Sequence, residues 1–290
     1  MSSSSTVNNY LSLIKFSHTL FALPFAVIGY FLAITYTQAH FDIRLFAYVI
    51  LCMVFARSAA MAFNRFIDRK YDELNERTAV REIPAGIIKP KNALLFVILS
   101  CLLFIATTFF INSICFYLSP IALDVILGYS LTKRFTFLCH LILGVGLSLA
   151  PIGAYLAVTG KFNILPLFFS FAVLFWVSGF DIIYALQDEE FDKSKNLKSI
   201  PVRLGTKGAL MLSNLLHLIS AAFVIYAGFY AHFNIWYWVG AVLFIGLLIY
   251  QHTLVKPNDL SKVTLAFATT NGVASVVFAI FVLINLAVGR

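Results

Sequence analysis

Residues 64–72 read Asn-Arg-Phe-Ile-Asp-Arg-Lys-Tyr-Asp, NRFIDRKYD, where a long apolar run passes directly into carboxylates. Asn64, Asp68 and Asp72 fall at i, i+4 and i+8, so a helix leaving a bilayer would carry all three oxygen-bearing side chains on one face. Such a face is half of a cation site. Arg57 lies seven residues before Asn64 and eleven before Asp68, on the same stripe and deeper in the apolar run. An arginine in that position is costly and calls for an anionic partner, from the protein or from a ligand.

The surrounding composition sets the class. Of the 290 residues 61% are hydrophobic and only 12% charged, with a mean hydropathy of +0.90, which excludes a soluble globular domain and predicts an all-α integral membrane protein. A hydrocarbon core of roughly 30 Å takes about 20 apolar residues per helix. On that rule helices are predicted at about 18–37, 45–66, 93–111, 113–132, 138–159, 163–186, 209–231, 234–251 and 263–287, nine spans in a single domain over 1–290. Charge supports the count. Of 21 Lys and Arg, only Arg44, Lys161 and Arg290 fall on one side and Arg57 within a helix, leaving 17 on the other. That asymmetry predicts a cytoplasmic N-terminus, a C-terminus across the inner membrane and a multi-pass topology. The net charge of +8 sits in short loops, where it faces anionic lipid; no nucleic acid and no obligate protein partner is expected. Cys52, Cys101, Cys115 and Cys139 stand singly in apolar segments and read as packing residues. The Ser-rich N-terminus has no cleavage site, so the first apolar run is expected to stay as a helix.

A second acidic stretch, FDIIYALQDEEFD over Phe180–Asp192, mirrors the first. Asp181, Tyr184, Asp188 and Asp192 follow at i, i+3, i+7 and i+11, again one expected helical face. Asp68 and Asp72 precede Asp188 and Asp192 by 120 residues, and each pair is followed by a basic segment and an Ile-Pro, Ile83-Pro84 and Ile200-Pro201. The chain thus reads as two four-helix repeats plus one helix, and a central cavity between the halves would collect carboxylates from both.

Up to six hard oxygen donors, Asn64, Asp68, Asp72, Asp181, Asp188 and Asp192, suit Mg²⁺, which takes a few carboxylates together with phosphate oxygens and water. One such Asp alone would read as a solvated helix cap; two mirrored clusters point to a joint metal and diphosphate site. Phosphates also need cationic clamps. The candidates are Lys15, Arg57, Arg65, Arg69, Lys70, Arg77, Arg81, Lys133 and Arg134, with Arg57 favoured for its depth and Lys133 and Arg134 for closing a helix in an otherwise uncharged stretch. Asp124, two to three turns before Lys133, either pairs with a basic residue or joins a substrate pocket. Tyr184 either donates to a substrate or is an interfacial tyrosine. His18 reads as a satisfied polar residue, and the 30 Phe are too common in lipid-facing helices to mark a tunnel.

The paired motifs, with ERTAVREIPAG after the first and SIPVRLG after the second, resemble the UbiA superfamily of intramembrane prenyltransferases, and within it the 4-hydroxybenzoate polyprenyltransferase branch. The resemblance runs from KFSHTLFALPF through YSLTKRFTFLCHLILG to the last helices. Asn64, Asp68 and Asp72 match the family's NDxxDxxxD-like pattern, but Arg65 stands where Asp is common, so no ligand role is carried onto it. Asp181, Tyr184, Ala185, Asp188 and Asp192 match DxxYAxxDxxxD in full. The resemblance implies a nine-helix bundle with a cavity open to the cytoplasmic side, and Mg²⁺ held by Asn64, Asp68, Asp72, Asp188 and Asp192. It implies polyprenyl diphosphate contacts at Arg57, Lys133 or Arg134 and Lys15, with Tyr184 beside the substrates and Asp181 as base or phenol-orienting group. The implied reaction is transfer of a polyprenyl group to the ring carbon ortho to the hydroxyl of a small aromatic acid, 4-hydroxybenzoate first and a dihydroxynaphthoate of menaquinone biosynthesis as the alternative.

Readings of other classes fit less well. An ion-coupled transporter would place its ionisable residues at the midplane and interrupt paired helices with Gly or Pro, whereas these carboxylates gather at one membrane face. A CDP-alcohol phosphotransferase would carry a DG-containing acidic motif, which is absent, and hydropathy excludes a soluble prenyl synthase.

Overall fold

Four long helices start on an Asp or Asn whose side chain accepts a first-turn amide, offsetting the orphan donors of a helix N-terminus. Asp42 caps α3 (Ile43–Leu74) through Arg44 N–H at 2.8 Å, and Asn112 caps α5 (Ser113–Thr132) through Cys115 N–H at 2.9 Å. Asn163 caps α7 (Ile164–Ala185) and Asn234 caps α10 (Ile235–Leu254), each at 3.0 Å. The computed structural model describes residues 3–14 and 21–289; among these no β-strand occurs beyond one isolated bridge, Lys256 to Asp259. The remaining helices are α1 (Ser3–Leu13), α2 (Leu23–Thr37), α4 (Pro90–Phe109), α6 (Cys139–Thr159), α8 (Glu189–Ser194), α9 (Ile200–Tyr230) and α11 (Asn271–Val288).

Among the described residues eight helical stretches are long and apolar enough to cross a membrane, and α2, at 15 residues, is a shorter apolar helix. Several expected boundaries shift. The first acidic stretch does not end a helix at 66: α3 continues through it to Leu74, so Asn64, Asp68 and Asp72 do share one helix. The helix expected from 209 starts at Ile200 and kinks at Gly205, whose φ of +67° lies in the left-handed region that a side chain disfavours. The N-terminal tail contains a helix. Leu13 of α1 is buried against Ala62 and Ile83, and Ser12 donates to Glu82, so tertiary packing holds a polar segment that propensity alone leaves open.

The dense core lies in α2, α7, α9, α10 and α11, around Trp176, Phe25, Phe244 and Phe278, all fully buried. The Trp176 Nε1–H donates to Asn271 Oδ1 at 2.9 Å, and the Asn271 amide donates to the carbonyls of Ala266 and Phe267. Those carbonyls belong to a π-helical segment, Leu265–Thr270, whose altered backbone pairing a side chain satisfies from within the bundle. The opposite half is looser, with α5 the least buried of the long helices. Between α3, α5 and α6 lies an apolar cavity of about 380 Å³, reaching from Arg57 and Tyr129 at one end to Ile111, Cys115 and Phe162 at the other.

Candidate active site

The acidic end of α3 is buried and almost fully partnered. Asp68 and Asp72 are 7% and 6% exposed, low enough that an unpaired carboxylate there would be costly. Asn64 Nδ2 donates to Asp68 Oδ2 at 3.2 Å, and Arg134 Nη2 donates to Asp68 Oδ1 at 2.8 Å. Arg81 Nη1 donates to Asp72 Oδ1 at 2.6 Å, while Asp72 Oδ2 is buried with no hydrogen-bond partner among the described residues.

The second acidic stretch departs from the single helical face predicted for it. Helix α7 ends at Ala185, a 3₁₀ turn covers Leu186–Asp188, and α8 starts at Glu189. The tighter turn breaks the 3.6-residue register, so the aspartates find partners on different elements. Asp181 meets His140 Nδ1 of α6 at 2.7 Å. Asp188 is gripped by Arg77, with the Nε contact at 3.1 Å, and accepts from Asn75 Nδ2 at 3.0 Å. Asp192 pairs with Lys133 Nζ at 3.4 Å. Tyr184 accepts from Arg77 Nη1 at 3.0 Å and stacks on Phe267, with ring centroids 4.2 Å apart, so it is part of the cluster and not a free interfacial tyrosine.

These pairings bring the two motifs together. Asn75 and Arg77, in the loop after α3, reach Asp188 of the second motif. Lys133 bonds Asp192 and lies in the field of Asp68 and Asp188. Burial alone would lower its proton affinity, but Asp192, Asp68 and Asp188 outweigh it and hold the amine above its ordinary range, fully charged. The same balance holds for Arg77: burial pulls down, and Asp188 with Tyr184 pulls further up.

Arg57 lines the cavity, with its Nε buried and unpartnered among the described residues, next to the phenol of Tyr129. It is the cation the apolar cavity ends on. Arg65, one of the candidate clamps but given no ligand role, is 6% exposed and lies in the field of Arg81, Asp72, Glu82 and Tyr184. Lys15 and His18 fall outside the described residues. Asp124 corrects both sequence options: it is exposed on α5 and off the cavity lining, because this face of the helix carries little packing. The four cysteines are free, as packing residues should be. Sequence reasoning ranked Arg77 and Arg81 low and missed Asn75 and His140. The only local signal for the last is a lone histidine at the start of an apolar helix, seven residues after Lys133.

Among the described residues no three His, Cys, Asp or Glu side chains stand together as a ready metal cluster. Asp68, Asp72, Asp188 and Asp192 are each drawn to an Arg or Lys, and Asp181 to His140. Arg57, at the polar end of the cavity, stands about two turns before Asn64 on α3, so the apolar cavity and this polar patch lie along the same helix.

Comparison with known proteins agrees with that description. The family model described as the UbiA prenyltransferase family matches residues 22–275, and the chain belongs to this family. It is an aromatic prenyltransferase of the 4-hydroxybenzoate polyprenyltransferase branch, and an integral membrane protein. The 4-hydroxybenzoate octaprenyltransferases of Tolumonas auensis and Nitrosomonas europaea are each 31% identical, over 223 and 233 residues; these cover 77% and 79% of this chain and 78% of each relative. The apo structure of a UbiA homolog from Aeropyrum pernix K1 superposes with a TM-score of 0.80 at 28% identity, covering 94% of this chain and 98% of that one. A UbiA homolog from Archaeoglobus fulgidus bound to GPP and Mg²⁺ shares the fold, with a TM-score of 0.76 at 23% identity over 96% of this chain and 99% of that one.

Proposed function

We propose that this chain transfers a polyprenyl group from polyprenyl diphosphate to the ring carbon ortho to the hydroxyl of 4-hydroxybenzoate, in quinone biosynthesis. The observation that carries the reading is Arg57, the one charged residue among the described residues lining an apolar cavity of about 380 Å³, about two turns before the acidic end of α3 with its paired carboxylates and cations. A long hydrocarbon tail lies in the cavity, away from water. Its diphosphate meets Arg57, Lys133 and Arg134, the last two exchanging carboxylate partners for phosphate oxygens, with Lys15 a further contact.

The donor set fits Mg²⁺: all ligand atoms are hard oxygens, and Asp72 Oδ2 is buried and unpartnered. When bound by Asn64, Asp68, Asp72, Asp188 and Asp192, Mg²⁺ supplies positive charge to the diphosphate. The chain's own cations do the same from fixed positions, favouring the charge that builds as the allylic C–O bond breaks and its electron pair goes to diphosphate. Tyr129 and the apolar walls exclude water from the allylic cation. The phenol ring, oriented beside Tyr184, supplies an electron pair from its ortho carbon to form the new C–C bond. The proton lost from that carbon goes to the free oxygen of Asp181, restoring the aromatic ring.

The same reading assigns a single domain over 1–290 and a nine-pass bundle of two four-helix repeats plus one, with α2 as the ninth span. It places the cavity mouth and N-terminus on the cytoplasmic side of the inner membrane and the C-terminus opposite, with lipid and the two substrates as the only partners. The test is purified protein with Mg²⁺, farnesyl diphosphate and a panel of aromatic acids, with products identified by mass spectrometry. Prenylated 4-hydroxybenzoate is expected, and chelation of Mg²⁺ should stop its formation. Product from a dihydroxynaphthoate alone would move the acceptor; Mg²⁺ or proton flux in proteoliposomes with no prenylated product would overturn the reading.

Chain-length preference follows from the cavity wall. A Cβ on Gly153 would meet nothing within 4 Å, so Gly153→Phe projects its ring into the cavity without straining the backbone. Competition between geranyl and longer diphosphates should shift at least about tenfold toward the short donor, as expected from about 1.4 kcal/mol or more of lost tail burial.

A further inference from the structure

His140 is 4% exposed at the start of α6 and is used by nothing in the reaction as described so far. Its Nδ1 lies 2.7 Å from Asp181 Oδ2, and its Nε2 lies 3.4 Å from the backbone nitrogen of Ile200. Ile200 is the first residue of α9. The Ser199 side chain caps that helix through Val202 N–H, leaving the Ile200 amide as an orphan donor on a fully buried residue. An N–H can be satisfied only by a lone pair, so Nε2 carries no hydrogen. The hydrogen of the neutral ring is then on Nδ1 and points at Asp181. Helix α9 therefore fixes the tautomer, and the tautomer fixes one oxygen of Asp181. The carboxylate lies close enough for its field to reach Tyr129, which with Arg57 stands at the cavity's polar end.

We propose that His140 is a positioning residue for Asp181: held by the Ile200 amide in one tautomer, it ties down Asp181 Oδ2 and aims Oδ1 at the reacting ring. The proposal rests on the reading of Asp181 as the group that receives the ring proton. It gives the N-terminus of α9 a defined part in aligning the site. It also accounts for a charged-residue partner deep at the start of an apolar helix, which packing alone does not require.

The test is steady-state kinetics on four variants in detergent, each checked for folding by size-exclusion and for retention of farnesyl diphosphate binding. His140→Leu, which has no donor, should lower kcat about tenfold to a hundredfold while changing KM for the prenyl diphosphate less than about threefold. His140→Gln, whose amide N–H can reach Asp181, should recover kcat to within about threefold of wild type. Asp181→Asn should be at least as slow as His140→Leu, and the double variant no slower than Asp181→Asn, because His140 acts only through that carboxylate. His140→Met fills the same volume without a donor and replaces His140→Leu if the latter does not fold. Wild-type kcat in His140→Leu, equal losses in the Leu and Gln variants, or additive losses in the double variant would each overturn the proposal. Wild-type turnover in Asp181→Asn would instead sink the role given to Asp181.

Discussion

Asp68→Asn and Asp188→Asn are each expected to lower kcat at least about a thousandfold, roughly 4 kcal/mol in the barrier, while leaving the bundle folded. The substitution keeps size and shape and removes one negative charge. At Asp68 the amide oxygen can still accept from Arg134, whose guanidinium also lies over the Tyr71 ring at 5.7 Å, so the arginine is not stranded. At Asp188 the amide can still accept from Asn75 and Arg77. Packing is therefore spared. What is lost is charge where the proposed function balances a dication and a diphosphate, and in a buried site that loss is poorly screened. Purified variants compared with wild type by product formation and by thermal unfolding decide the matter; near wild-type turnover in both would show that the acidic ends take no part in catalysis.

The second large effect is on assembly. A Cβ placed on Gly29 would sit 2.0 Å from the carbonyl oxygen of Pro151, so α2 and α6 touch backbone to backbone. Lipid gives no hydrophobic drive for helices to associate, and close approach through small residues is what replaces it. Gly29→Val must push α2 off α6, and neither backbone can yield locally as a side chain would. The expected cost exceeds about 3 kcal/mol, seen as a sharp fall in folded yield and in unfolding temperature in detergent. Gly153→Val, on the open cavity wall of the same helix as Pro151, should change neither and serves as the control. A Gly29→Val protein as stable as wild type would mean the two helices do not meet as described.

Much of this is legible in the order of residues. The helical spans follow from apolar run length, because a bilayer admits few alternatives. NRFIDRKYD keeps its register on α3, since nothing in it interrupts a helix. The second motif departs from its expected single helical face. Ala185 to Glu190 are all compatible with continued helix, so no residue there announces the 3₁₀ turn; it exists because Asp188 and Asp192 are drawn to Arg77 and Lys133 on other segments. Arg77 and Arg81 were indistinguishable in sequence from other cytoplasmic basic residues, and only the path of their loop separates them. His140 and Asp181 are 41 positions apart with no shared pattern.

Residue order alone specifies a membrane-embedded helical bundle carrying two acidic helix ends and a deep arginine, because run length, side-chain period and charge placement are local properties. Which cation meets which carboxylate, where the loose half opens into a cavity, and which oxygen of Asp181 is held by His140 depend on the packing of the whole bundle. Those depend on distances between segments far apart in the chain, and buried charges settle them by pairing with whatever opposite charge the packing brings within reach.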